Sequence, residues 1–175
     1  LGSQLDRCLL NSMLRQDVFI KSAEPIAINL TKESIKDDDF TQWLAQFLAQ
    51  CDFTERMLFE LPESAVILYT SNSLKLAEVL RSADVKFGID QCGRQIGSLD
   101  YLQQIQPDYI KLDQSFTFYD NSLQHEELCR ALVNVAKGLK IDVIMTGIED
   151  KEQLAQYNNV QADGYQGYIS PVTDV

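Results

Sequence analysis

The chain has 175 residues, 45% hydrophobic and 23% charged, which is the usage of one globular domain with room for a sizeable core. Its net charge of -11 argues against a general nucleic-acid surface, because phosphate binding needs clustered Lys and Arg and the 15 here are scattered. No apolar run approaches the ~18 residues of a membrane span, and the first residues carry no signal-peptide pattern.

Residues 3–15 read as a helix with Leu5, Leu9, Leu10, Met13 and Leu14 on one face. Residues 26–28 follow Pro25 as a short strand. Asp37, Asp38 and Asp39 then supply the N-cap and first-turn acids of a helix over 40–50, a better account of this acidic run than a metal site. Trp43, at helical spacing from Phe40 and Phe47, reads as core packing. Strand and helix alternate from there, with strands at 57–59, 86–89, 109–110, 141–145 and about 163–165. The helices between them are predicted over 71–81, 98–105, 122–138 and 151–157. That over 122–138 places Leu128, Leu132, Val135 and Leu139 inward and His125 in a solvated first turn. Cys8, Cys51, Cys92 and Cys129 lie about 40 residues apart and form no CxxC pair, so they read as reduced, mostly buried thiols.

Such alternation predicts a parallel α/β fold. More informative is what ends each strand: Asn29, Glu60, Asp90, Lys111, Thr146 and Gln166. In a βα barrel the C-terminal strand ends converge on one face, so these six polar residues predict a shared site. Two carboxylates with an amide oxygen are hard ligands suited to Mg²⁺ or Mn²⁺. A lysine beside them can bind phosphate or orient a water. These are parts of a metal-assisted phosphodiesterase, which needs anionic charge around two cations. Gln91 is neutral and Thr146 is no acid, so the set suits one cation or none.

The motifs in order resemble the EAL domain family, which hydrolyses cyclic-di-GMP. Ile28-Asn29-Leu30-Thr31 resembles its V-N-L-S, and Glu60-Leu61-Pro62-Glu63-Ser64 its E-I-T-E-S. Asp90-Gln91-Cys92-Gly93 is similar to D-D-F-G with the second Asp replaced by Gln91. Asp108-Tyr109-Ile110-Lys111-Leu112-Asp113 is similar to D-x-L-K-I-D, and Thr146-Gly147-Ile148-Glu149 to E-G-V-E with the first Glu replaced by Thr146. Gln166-Gly167-Tyr168 resembles the terminal Q-G-Y.

The resemblance implies an incomplete TIM-like (β/α) barrel of the EAL type, with about six of eight strands. Residues 1–175 would form a single degenerate EAL domain lacking the family's first two strands and its E-A-L motif. The family Arg-Pro near the C-terminus has no counterpart in Tyr168-Ile169-Ser170-Pro171. Metal ligands carried over are Asn29, Glu60 and Asp90, vestigial and expected to be empty. Lys111 and Glu149 match catalytic positions, also as vestiges, so no working catalytic residue is expected. Cyclic-di-GMP ligands would be Asn29, Glu60, Asp90, Arg94, Lys111 and Gln166. Arg94 could equally pair with a surface acid, and Glu63 could equally be a cap after Pro62.

The expected function is that of a catalytically inactive cyclic-di-GMP receptor without cofactor, its ancestral Mg or Mn site degenerate. It would be a cytoplasmic domain of a larger bacterial protein of the inner membrane, with GGDEF or other sensory domains in the same chain. Gly93-Arg94 and residues 106–111 resemble LapD-type GGDEF-EAL receptors. The alternatives are a nucleotide-independent interaction scaffold of the CsrD type and a weak residual phosphodiesterase. Homodimerisation through exposed strand edges is expected, as is a regulatory loop over 91–100, where Gly93 and Gly97 allow left-handed backbone.

Overall fold

A computed structural model describes residues 1–16, 24–94, 99–118 and 123–168. Six strands are hydrogen-bonded in the order of the chain: β1 (Ile26–Asn29), β2 (Met57–Pro62), β3 (Lys86–Cys92), β4 (Tyr109–Leu112), β5 (Asp142–Thr146) and β6 (Gly164–Gln166). β1 with β2, β4 with β5 and β5 with β6 pair parallel. The α/β class and the six strands are as expected. Contacts divide the chain into two compact units, Leu1–Ile89 and Asp90–Val175.

The first unit begins with α1 (Gly2–Met13), and here the expected inner face is corrected. Asp6, Leu10 and Met13 are buried, whereas Leu5 and Leu9 are exposed. The cause is a polar anchor. Asp6 Oδ2 accepts from Thr31 N at 2.8 Å, Thr31 Oγ1 at 2.9 Å and Ser34 Oγ at 2.6 Å, which turns the helix toward the end of β1. Thr31 in turn caps the short α2 (Lys32–Ile35). Asp37 caps α3 (Asp38–Leu48), its carboxylate accepting from Asp39 N at 3.1 Å, so the acidic run is the helix start it was expected to be. Trp43 is half-buried at the edge of the core, its ring tilted against Phe40 at 5.6 Å and Phe47 at 5.2 Å, with the Arg7 guanidinium 5.3 Å above it.

A helix not among the predicted elements, α4 (Glu63–Leu68), precedes α5 (Thr70–Ser82). Glu63 is buried in the first turn of α4, where an acid suits the helix dipole. Met57, Phe59, Leu61, Leu76, Leu80, Phe87 and Ile89 are fully buried. At about 1.5–3 kcal/mol per buried side chain they are a main source of this unit's stability.

In the second unit α6 (Asp100–Ile105) ends at Gln106, which takes a left-handed φ of 49° ahead of Pro107. All four residues of β4 are buried. The short α7 (Ser115–Phe118) leads toward α8 (Leu123–Gly138). The inner face of α8 is also corrected. Leu132 is buried with Cys129, Val133 and Ala136, while Leu128, Val135 and Leu139 are 44%, 42% and 36% exposed. Asp150 caps α9 (Lys151–Gln156), accepting from Gln153 N at 2.8 Å. All four cysteines are free thiols, but only Cys92 and Cys129 are buried; Cys8 is exposed. No helix among the described residues is long and apolar enough to cross a membrane. The side chain of His125, residues 95–98 of the expected regulatory loop and Ile169-Ser170-Pro171 lie outside what is described.

Candidate functional site

The strand ends are less uniform than the sequence suggested. Asn29, Thr146 and Gln166 are terminal residues, but β2 continues past Glu60 to Pro62, β3 past Asp90 to Cys92 and β4 past Lys111 to Leu112. Side chains alternate along a strand, so Lys111 and the Asp113 that follows it face one way while Ile110 and Leu112 fill the core.

Two groups of expected site residues result, one on each unit. On the first, Asn29 and Glu60 are register partners across β1 and β2. Asn29 is exposed; Glu60 is 4% exposed, and its own carbonyl accepts from Leu30 N at 2.9 Å, extending the ladder beyond Asn29.

On the second unit Asp90, Gln91, Arg94, Lys111, Thr146, Glu149 and Gln166 all line a single cavity of about 520 Å³. That volume lies within the range of small-molecule sites. Lys111 Nζ is 3.9 Å from Asp90 Oδ1, a loose ion pair of two largely buried side chains. Thr146 and Gln166 stand side by side in the β5–β6 register. Thr146 Oγ1 donates to Leu112 O at 2.7 Å, and Thr146 O accepts from Thr117 Oγ1 at 2.7 Å. Its hydroxyl hydrogen is thus committed to the backbone of β4.

Gln91 adopts a left-handed φ of 57°, uncommon for a residue with a side chain. It is exposed, and its Oε1 accepts from Arg94 Nη1 at 3.5 Å, so Arg94 lies by the cavity with an amide as its partner. Gly93, next to it, has φ 87°, and a Cβ there would stand 2.7 Å from the Phe116 ring.

Asp113, Gln114, Gly147, Gly167 and Tyr168 also line the cavity and were not among the expected site residues. Asp113 accepts from Ser115 N at 3.0 Å through Oδ1, opening α7. The strand alternation placing Asp113 beside Lys111 was available in the sequence. Tyr168, 85% exposed among the described residues, adds an aromatic ring; the Q-G-Y match contained it, but it was not read as a site residue. The lining therefore carries three acids, two cations, three side-chain amides and an aromatic ring. Among the described residues, no three His, Cys, Asp or Glu side chains group to hold a metal ion.

Parallel strands whose C-terminal ends carry such a polar cavity define an α/β protein with its candidate site on the face where such folds place theirs. The EAL domain model matches residues 1–171, and the chain belongs to the EAL domain family. The cyclic di-GMP phosphodiesterase NbdA of Pseudomonas aeruginosa is 31% identical over 144 residues, covering 82% of this chain and 18% of that protein. The RNase E specificity factor CsrD of Escherichia coli is 23% identical over 133 residues, 74% of this chain and 21% of that protein. Among solved structures, the S helix-GGDEF-EAL portion of Vibrio cholerae LapD superposes with a TM-score of 0.89 in its apo form. It is 26% identical and covers 95% of this chain and 41% of that one. Its form bound to c-di-GMP gives 0.88 at the same identity, over 94% and 41%. The chain spans between about a fifth and about a third of the length of the curated relatives it matches.

Proposed function

We propose that this EAL domain binds cyclic-di-GMP without hydrolysing it, acting as a receptor within a larger signalling protein. The observation that carries this reading is the state of Gln91 and Thr146. Where the family pattern has two acids, this cavity has an amide touching Arg94 and a hydroxyl spent on the Leu112 carbonyl. The family's Mg²⁺ or Mn²⁺ pair fits this donor set poorly. Asp90 faces an ammonium at 3.9 Å, Asp113 is partly engaged by the Ser115 amide, and neither Gln91 nor Thr146 adds negative charge.

The same lining suits direct binding of a dinucleotide. Lys111 and Arg94 can approach phosphate oxygens, with charge-assisted hydrogen bonds in place of cations. Gln166, Gln114 and Gln91 offer donors and acceptors for base edges. The exposed Tyr168 ring can stack on a guanine, a contact that contributes about 1–3 kcal/mol. The likeness to LapD at 26% identity in a structure bound to c-di-GMP supports the receptor reading. We place the domain in the cytoplasm, beside a GGDEF or other sensory domain of an inner-membrane protein and in a homodimer. The chain's small share of its relatives and its free thiols agree with a domain of this kind, and fractionation with light scattering of the whole protein tests it.

Calorimetric titration with cyclic-di-GMP in EDTA tests the main reading, alongside product analysis with Mg²⁺ or Mn²⁺. Micromolar binding and no linear dinucleotide are expected. Linear product would overturn the loss of hydrolysis. Absence of heat at high ligand concentration would favour the scaffold reading, for which the CsrD likeness is the support.

A further inference from the structure

The cavity wall between β5 and α9, comprising Thr146, Gly147, Ile148 and Glu149, has no ladder or helix of its own beyond Thr146. Besides the hydrogen bond from Thr146 Oγ1 to Leu112 O, it is held at three further points in the second unit. Thr146 O accepts from Thr117 Oγ1 at 2.7 Å, Ile148 N donates to Gln166 O at 3.2 Å, and Glu149 N donates to Gln153 Oε1 at 2.7 Å. The same Gln153 amide donates through Nε2 to Thr117 O at 2.9 Å. One planar group therefore joins the wall to the segment that holds the wall's other end.

We propose that Gln153 is a positioning residue for the ligand cavity, fixing the Thr146–Glu149 wall and so setting its affinity for an anionic dinucleotide. The inference rests on the cyclic-di-GMP reading above. Gln153 does not line the cavity, and it acts through Glu149 and Thr117. Its chemistry is specific, because the bridge needs an acceptor toward Glu149 N and a donor toward Thr117 O at the tips of one side chain of this length. It is the third residue after the N-cap, the position that closes a capping box, but its side chain reaches one residue beyond the cap, to Glu149 rather than Asp150. The helix start and the cavity wall thereby share one residue. A wall fixed only a tenth of the time would weaken apparent affinity about tenfold.

The test compares cyclic-di-GMP affinity and melting temperature in Gln153→Ala, Gln153→Glu and Asp150→Ala variants of the intact protein. Gln153→Ala should weaken binding on the order of tenfold. Gln153→Glu, which keeps an acceptor but loses the donor, should also bind more weakly than the parent. Asp150→Ala removes the helix cap and lowers the melting temperature, yet should leave affinity within about twofold. Binding within twofold of the parent in Gln153→Ala overturns the proposal, as does an equal affinity loss in Asp150→Ala. If the parent binds no cyclic-di-GMP, the functional reading fails by itself. Backbone amide exchange over 146–149 then decides the positioning role: faster exchange in Gln153→Ala sustains it, and unchanged exchange overturns it.

Discussion

Lys111 Nζ lies 3.9 Å from Asp90 Oδ1, with 11% and 22% of the respective side chains exposed. The pair links the ends of β3 and β4 inside the cavity and sets opposite expectations for two kinds of site. Where cations hold the ligand, Asp90 is a metal contact and neutralising it weakens binding. Where the ligand meets the protein directly, Asp90 competes with phosphate for the Lys111 ammonium.

Asp90→Asn should accordingly leave cyclic-di-GMP binding in EDTA unchanged or tighten it by about 2–5-fold, the scale of a partly exposed ion pair. Lys111→Met should weaken it by about tenfold or more, through loss of a charge-assisted hydrogen bond. Calorimetry at fixed ionic strength checks both. Loss of affinity in Asp90→Asn that added Mg²⁺ accentuates would show a cation-dependent site instead.

Thr146→Val keeps the side-chain shape and removes the hydroxyl that donates to Leu112 O at 2.7 Å. The carbonyl left behind lies at the end of the buried β4, so the cost should be about 1–2 kcal/mol of stability by denaturant unfolding. Affinity for the dinucleotide should change by less than about threefold, equivalent to under 1 kcal/mol. A loss of affinity without loss of stability would mean that the hydroxyl serves the ligand rather than the sheet.

Much of this site was legible because polar residues at strand ends are costly to place anywhere but on an open face. Asp90, Lys111, Thr146 and Gln166 were readable from where apolar runs stop. What was not legible came from helices and side-chain reach. In α8 and just past its end the apolar positions 128, 129, 132, 133, 135, 136 and 139 offer two overlapping faces at helical spacing, and large residues favoured the wrong one. The buried face uses Cys129 and Ala136, small residues that admit close approach of the helix to the sheet. In α1 a buried acid, Asp6, sets the rotation, which hydrophobic periodicity does not register. Gln153 was invisible for a related reason: its importance lies in two backbone partners, one of them 36 residues away.

Burial pushes the Cys129 thiol up from 9.0 to about 12, with repulsion from Glu126 adding to it. Tyr157 is raised as well, by burial first and then by Cys129 and Glu126. Both groups are neutral when protonated, and both hold their protons more tightly folded than unfolded. As pH rises past about 9 the unfolded chain releases its Cys129 proton first, so stability is full below that pH and falls progressively toward about pH 12. The melting temperature should decline across that window, and Cys129→Ala should make the decline shallower. A parent and variant with superimposable alkaline slopes would count against the assignment. At neutral pH iodoacetamide should label exposed Cys8 and spare Cys129, as read by peptide mass spectrometry.

Gly167 makes a very close backbone approach at the cavity. A Cβ built there would stand 2.0 Å from Ile148 O and 2.6 Å from Ile148 N, atoms that cannot rotate aside. The hydrogen bond from Ile148 N to Gln166 O, 3.2 Å long, runs through the same contact. Gly167→Ala must therefore separate β6 from the wall, break that bond and displace Gly147 and Gln166, both of which line the cavity. The expected cost is about 2–3 kcal/mol in denaturant unfolding, at the upper end of overpacking changes. Cyclic-di-GMP binding should fall by more than the remaining folded fraction explains. Gly138→Ala is the informative contrast, since a methyl group there meets nothing within 4 Å at the end of α8. That substitution should stabilise the protein by up to about 1 kcal/mol through helix propensity. If Gly167→Ala proved as benign as Gly138→Ala, the wall would be yielding rather than fixed. The cavity would then owe its shape to the ligand and not to the packing of Gly167 on Ile148.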